Sequence, residues 1–215
     1  MNESSNIIIY GCGGHARSVI NVICETNIKK EILLVDHNAR DDETILGFKT
    51  QRQYMLNAND DYIIALGDNN TRAQLYHKLS DMQLGHCISV ISTFAHLGLN
   101  TKIGLGTFVA PNVYIGPQAT IGNNTIINTG SIVEHEVSIG NNTHIAPHAT
   151  ICGRTKIGNN VFCGAGSVII DNVFICDNVT IGAGAVVKEN IVESGTYVGI
   201  PTRKIYNKNK IHEEA

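Results

Sequence analysis

The sequence predicts two domains in series, a parallel α/β domain over residues 1–90 and a β-solenoid over residues 91–215. Three observations carry that prediction. All 11 leucines lie at or before Leu105, and the chain beyond is written in Ile, Val, Gly, Asn, Thr and Ala, a shift from helix-favouring to strand-favouring residues. From Ile91 onward an aliphatic residue returns at every sixth position. Near the N-terminus, Gly11-Cys12-Gly13-Gly14-His15-Ala16 stands between an apolar run and a helical pattern.

The first half alternates strand and helix. Residues 6–10 read as a buried strand, 14–24 as a helix, 31–36 and 62–67 as further strands and 70–82 as a second helix. A last strand over residues 87–91 leads into the solenoid. Alternation of this kind builds a parallel sheet, and 90 residues suffice for one mononucleotide-binding half of a doubly wound fold. A dinucleotide such as NAD needs a second half, for which the chain has no room.

The second half is fixed by its period. Steps of six from Ile91 to Val187 meet Ile, Leu or Val at 16 of 17 positions, with Cys163 the exception. A helix needs a spacing near 3.6 and a lone strand needs two, so six describes a solenoid whose hexads are each one short strand and one corner. Gly and Asn after the anchors suit tight corners. Thr107, Ala119, Thr125, Ser131, Thr143, Ala149 and Ser167, four residues after anchors, are small enough for a narrow interior. Residues 91–192 hold 17 hexads without insertion. At three hexads per coil that gives five to six triangular coils, about 4.8 Å apart. Three-sided units associate most simply as a homotrimer.

Composition excludes several classes. A net charge of -3, with 16 Lys+Arg against 19 Asp+Glu, argues against nucleic acid as the partner. No run is long enough to insert in a membrane, and the opening Met1-Asn2-Glu3-Ser4-Ser5-Asn6 lacks the basic region of a signal peptide. Six scattered cysteines without C-x-x-C spacing read as reduced thiols in a cytoplasmic protein.

Chemistry concentrates at two places. The glycine turn matches G-x-G-x-x-[GA] between strand and helix, where backbone N–H groups and a helix N-terminus can hold phosphate. Asp36 ends the next strand and suits ribose hydroxyls; the alternative is a tight turn without ligand. Asp68-Asn69-Asn70-Thr71-Arg72 lies on the same sheet edge, either as pocket wall or as a helix N-cap cluster. In the solenoid, Glu134-His135-Glu136 places an imidazole between two carboxylates at a corner otherwise built from Gly and Asn. Imidazole is suited to proton abstraction near neutral pH, and a carboxylate fixes its tautomer. A cluster of His135, His144 and His148 also permits a zinc reading, against which the acids and the α/β domain argue. The tail residues Arg203, Lys204, Lys208 and Lys210 either meet phosphates or form a solvated terminus.

The frame [LIV]-G-x-x-[STAV]-x resembles the hexapeptide-repeat acyltransferases, which implies a left-handed parallel β-helix after a Rossmann-like domain. The glycine turn, the run from Asn128 to Glu136 and the ending Val198-Gly199-Ile200-Pro201 are similar to the sialic-acid and amino-sugar acetyltransferase family. Within it the chain resembles the branch that N-acetylates UDP-4-amino-6-deoxy sugars for bacillosamine synthesis. The resemblance implies acetyl-CoA as cosubstrate, no metal, His135 as general base and Glu136 raising its basicity. It places acetyl-CoA contacts at His144, Ala165 and Ala183, and acceptor contacts at Gly13, Gly14, His15, Asp36, Gly67 and Asn128. Gly153, one coil beyond His135, is the expected oxyanion donor. Direct transfer to a nucleotide-linked amino sugar in surface-glycan synthesis is the leading expectation. O-acetylation of a sialic-acid-like sugar and a noncatalytic nucleotide-sugar scaffold are the alternatives.

Overall fold

The computed structural model describes residues 5–26, 30–40 and 42–206. Met1 to Ser4, Lys208 and Lys210 lie outside them. The first domain runs β1 (Asn6–Tyr10), α1 (Gly14–Glu25), β2 (Glu31–Val35), β3 (Thr44–Ile45), β4 (Phe48–Gln51), β5 (Asp61–Ile64), α2 (Asn69–Asp81) and β6 (His86–Cys87). The sheet order is β3-β4-β2-β1-β5-β6. All described pairings in it are parallel except β3 with β4.

The sheet is apolar on both sides, as a parallel sheet covered on both faces must be. Ile7, Ile9, Ile32, Leu34 and Ile63 pack with Ala16, Val19, Ile20 and Ile23 of α1. Ile8, Tyr10, Leu33, Val35 and Ile64 turn the other way, with Leu79 of α2. Two features were not read from the sequence. The β3–β4 hairpin turns at Leu46 and Gly47, both at positive φ, and its strands are too short to stand out. The single strand expected over 87–91 is two, because Cys87 pairs with β5 whereas Ile91 pairs with Val109 in the solenoid.

The solenoid has three faces. The first stacks Val90–Ile91, Phe108–Val109, Ile126–Ile127, His144–Ile145, Phe162–Cys163 and Val179–Ile181; the second and third hold six and five short strands. Partners are 18 residues apart, as in Phe108 with Ile126 and Thr120 with Ser138, so each coil is three hexads. The anchors from Val109 to Val187 are buried. Leu97, in the first coil, is 40% exposed because no coil lies above it. The small residues expected inside are all there, from Thr107 to Ser167 at 0% exposure. Thr107, Thr125 and Thr143 donate to the next coil, at the carbonyls of Gly122, Gly140 and Gly158; Ser131 donates to the Asn128 carbonyl of its own coil, and the Ser167 hydroxyl is buried without a partner among the described residues.

Corners turn through left-handed residues with φ near 60°, mostly Asn or Gly, which tolerate it. Glu136, at φ 59°, occupies one of these positions, where a longer side chain costs about 1 kcal/mol. The C-terminus departs from the solvated tail that the sequence allowed. Gly195–Val198 adds to the first face in parallel, and Arg203–Ile205 returns antiparallel to it. Lys204 there donates to Glu193 at 3.0 Å.

Candidate functional site

His135 lies at the corner between the second and third faces. Its Nδ1 is 3.0 Å from Glu136 Oε2, and both side chains are about half exposed. A carboxylate only accepts, so Nδ1 carries the proton and Nε2 presents its lone pair. The ring lies over Gly153 of the next coil: a Cβ built there would meet Cε1 and Nε2 at 2.6 Å. Glycine is therefore required by close approach. At another corner, the N–H groups of Asn123, Asn141 and Asn159 are capped by side chains of the following coil. The Gly153 N–H has no such acceptor among the described residues, while its carbonyl accepts from Asn172.

A second cluster forms where the α/β domain rests on the first face. The His15 ring meets Phe108 edge-on at 4.9 Å, with His144 at 6.5 Å. His144 Nδ1 donates to the Gly67 carbonyl at 3.3 Å, which leaves Nε2 to accept from Asn128 Nδ2 at 3.2 Å. Burial first, then the charge of Arg72, pushes the His144 pKa down to about 4. Burial, His144 and Arg72 push His15 down to about 3. Both rings are neutral at physiological pH. The His15 Nε2 is buried without a partner.

The glycine turn itself is open. Gly13 and Gly14 are exposed, Gly13 caps α1 without a side-chain bond, and the first turn carries no acid. Asp36 is more occupied than expected: Oδ2 accepts from Cys12 N at 3.0 Å and Oδ1 from Asn38 N at 2.9 Å. It braces the turn and also lines a cleft of about 560 Å³ with Tyr10, Gly11, Arg52, Gln74 and Lys78. Asp68 is the α2 N-cap, accepting from Thr71 N at 2.8 Å. Beside it, Gly67, Asp68, Asn69 and Asn70 face Phe162 and Thr180 of the solenoid across a second cleft of about 400 Å³.

Ala165 and Ala183 are exposed at the corner between the first and second faces, each followed by a positive-φ glycine. A Cβ on Gly166 or Gly184 would meet nothing within 4 Å, so this ledge is bare. The structure thus gathers His15, Gly67, Asn128 and His144 in one place, Gly13, Gly14 and Asp36 beside it, and His135, Glu136 and Gly153 on another edge. His144 bonds Gly67 and Asn128, the latter on the same corner of the solenoid as Ala165 and Ala183. His148 packs on Gly130, on the corner that also carries Ala165 and Ala183, and the described residues hold no group of three or more metal-ligating side chains. All six cysteines are free, and no described helix is long and apolar enough to cross a membrane. Arg72, within a stretch read as pocket wall or cap, proves to be buried; nothing in the local pattern separates it from a solvated helix arginine.

Residues 6–79 match the PglD N-terminal domain, and residues 100–135, 118–153 and 154–189 match the bacterial transferase hexapeptide. No curated sequence matches the chain closely enough to count as a relative. Among solved structures, PerB from Caulobacter crescentus in complex with CoA and GDP-perosamine is 26% identical, with a TM-score of 0.84 over 95% of this chain and 99% of that one. The acetyltransferase domain of PglB from Neisseria gonorrhoeae in complex with acetyl coenzyme A is 24% identical, with a TM-score of 0.88 over 94% and 100%. WeeI from Acinetobacter baumannii is 20% identical, with a TM-score of 0.68 over 94% and 100%.

Proposed function

Because the chain belongs to the hexapeptide-repeat acyltransferases, with a left-handed β-helix behind a PglD-type α/β domain, we propose that it transfers acetyl from acetyl-CoA to the amine of a nucleotide-linked 4-amino-deoxy sugar. UDP is the nucleotide favoured by the sequence resemblance, and surface-glycan synthesis in the cytoplasm is the setting. The observation that carries the chemistry is the His135 corner: a base with its tautomer set by Glu136, over an uncapped backbone N–H.

His135 Nε2 removes a proton from the sugar amine as nitrogen attacks the thioester carbonyl. The Gly153 N–H is placed to bind the oxygen as it gains charge. When the C–S bond breaks, the proton on His135 passes to the departing thiolate. No acyl-enzyme is required, and the thiols nearby are poor nucleophiles. Burial pushes Cys163 up to about 12, and burial with the Glu134 and Asp171 charges raises Cys152. The cosubstrate fits the ledge of Ala165 and Ala183, whose bare backbone leaves room for a pantetheine arm, with His144 on the adjoining first face. The acceptor nucleotide fits the turn of Gly13 and Gly14 and the Asp36 cleft, with His15, Gly67 and Asn128 toward its sugar.

One chain keeps these parts apart, since the second face lies between the His135 corner and the ledge. A second copy that sets its His135 corner against the ledge and acceptor cleft completes the site, so the homotrimer is part of the proposal. The second face is the more apolar contact: Tyr114, Ile132, Val168 and Val186 stand on it with His96 and Thr150, whereas the third carries Lys102, Thr120, Ser138 and Lys156 with one apolar residue, Phe174. The test is acetyl-CoA consumption with a panel of UDP-, GDP- and dTDP-linked amino sugars and free sialic acids. Turnover with a nucleotide-linked amine supports the proposal. Turnover only with a sialic acid makes it an O-acetyltransferase, and binding of nucleotide sugar without turnover makes it a scaffold.

A further inference from the structure

Arg72 is 1% exposed and is the bulkiest of the fully buried side chains among the described residues. It has no carboxylate partner there. Nε donates to the Asn124 carbonyl at 2.9 Å, and Nη1 to those of Leu66 and Gly67 at 3.1 and 3.2 Å. Nη2 donates to Asn69 Oδ1 at 2.8 Å and to the carbonyls of Asn142 and Thr143 at 2.9 and 3.3 Å. Every acceptor is neutral. Burying a guanidinium in this way costs several kcal/mol before its hydrogen bonds offset it, whereas an apolar side chain would pin two domains without that cost.

What the charge and fork achieve is geometric. Three acceptors belong to two successive coils of one solenoid corner and three to residues 66–69, the segment after β5. That segment is one wall of the 400 Å³ cleft, with Phe162, Asn178 and Thr180 of the solenoid opposite. It is also held by Asn69 Nδ2 on the Val161 carbonyl at 3.0 Å and by the Asn70–Asn160 pair at 2.8 Å. We infer that Arg72 is a positioning residue: it sets the β5–α2 loop against the solenoid and so fixes the cleft that receives the acceptor sugar. This rests on the proposed function for the ligand, though not for the geometry. The cleft suits an amino-deoxyhexose, since carboxamides, a hydroxyl, one aromatic ring and the Asp68 carboxylate line it and no Lys or Arg does.

Arg72→Lys keeps the charge but offers at most three donors without the planar fork. The expected result is an acceptor KM raised about tenfold or more, with the acetyl-CoA KM within about threefold. Loss of folded protein alone would lower kcat and leave both KM values unchanged. An acceptor KM within twofold of wild type would overturn the inference. If Arg72→Lys does not fold, Asn69→Ala removes one acceptor of the fork and the Val161 bond, and is expected to raise acceptor KM about threefold; no change overturns the inference equally. Amide exchange needs no acceptor. In Arg72→Lys, or in Asn69→Ala, exchange over residues 66–71 should quicken about tenfold while β1 holds its protection. Unchanged exchange sinks the positioning role. If wild type is silent on the whole panel, the substrate reading fails, and exchange alone decides the role of Arg72.

Discussion

Acidification should loosen the seam between the two domains, and the two histidines in it set the size of the effect. Burial with a neighbouring guanidinium depresses His15 to about 3 and His144 to about 4, against about 6.5 in an unfolded chain. As pH falls below about 6.5 the unfolded chain binds protons that the folded one refuses, so stability is full above that pH and declines toward pH 4. Each group costs about 1.4 kcal/mol per pH unit over that range. Between pH 6.5 and 5 the pair therefore removes on the order of 4 kcal/mol, a large part of the roughly 5–15 kcal/mol that holds a domain together. The assay is denaturant unfolding at pH 7 and pH 5, at one protein concentration, for wild type and His15→Gln/His144→Gln. The double variant should lose about 4 kcal/mol less than wild type between the two pH values. Equal losses, or an imidazole resonance of either residue titrating between pH 6 and 7, would refute the reasoning.

Gly153→Ala places a methyl 2.6 Å from the His135 ring; displacing the base should cut kcat by about 100-fold, with the melting temperature within a few degrees because the half-exposed His135 ring can swing aside. Glu136→Gln keeps the shape and loses the carboxylate, so kcat should fall about tenfold to 100-fold with acetyl-CoA affinity unchanged by calorimetry. Mixing enzyme with acetyl-CoA before acceptor is added should release no burst of free CoA; a burst equal to the enzyme concentration would mean an acyl-enzyme.

The solenoid was legible because its constraint is local and repeated: one inward side chain every six residues cannot be hidden by context. The placement of His135 over Gly153 follows from the same arithmetic, since partners are 18 residues apart. The seam was not legible. Arg72 meets Asn124 and Asn142 across 52 and 70 residues, and His144 meets Gly67 across 77. Those contacts depend on how the α/β domain lies on the first face, which no periodicity encodes. For the same reason the His144 bonds to Gly67 and Asn128 were not read from the sequence. Asp36 fits both readings, because a carboxylate that ends a strand beside a glycine turn can brace the turn as well as face a ligand.

The most direct measurement is steady-state turnover by His135→Gln, beside calorimetric binding of acetyl-CoA to the same variant. If the imidazole is the proton acceptor, kcat falls by about 100-fold to 10,000-fold and the coenzyme still binds with wild-type affinity. Turnover within threefold of wild type would place the base elsewhere.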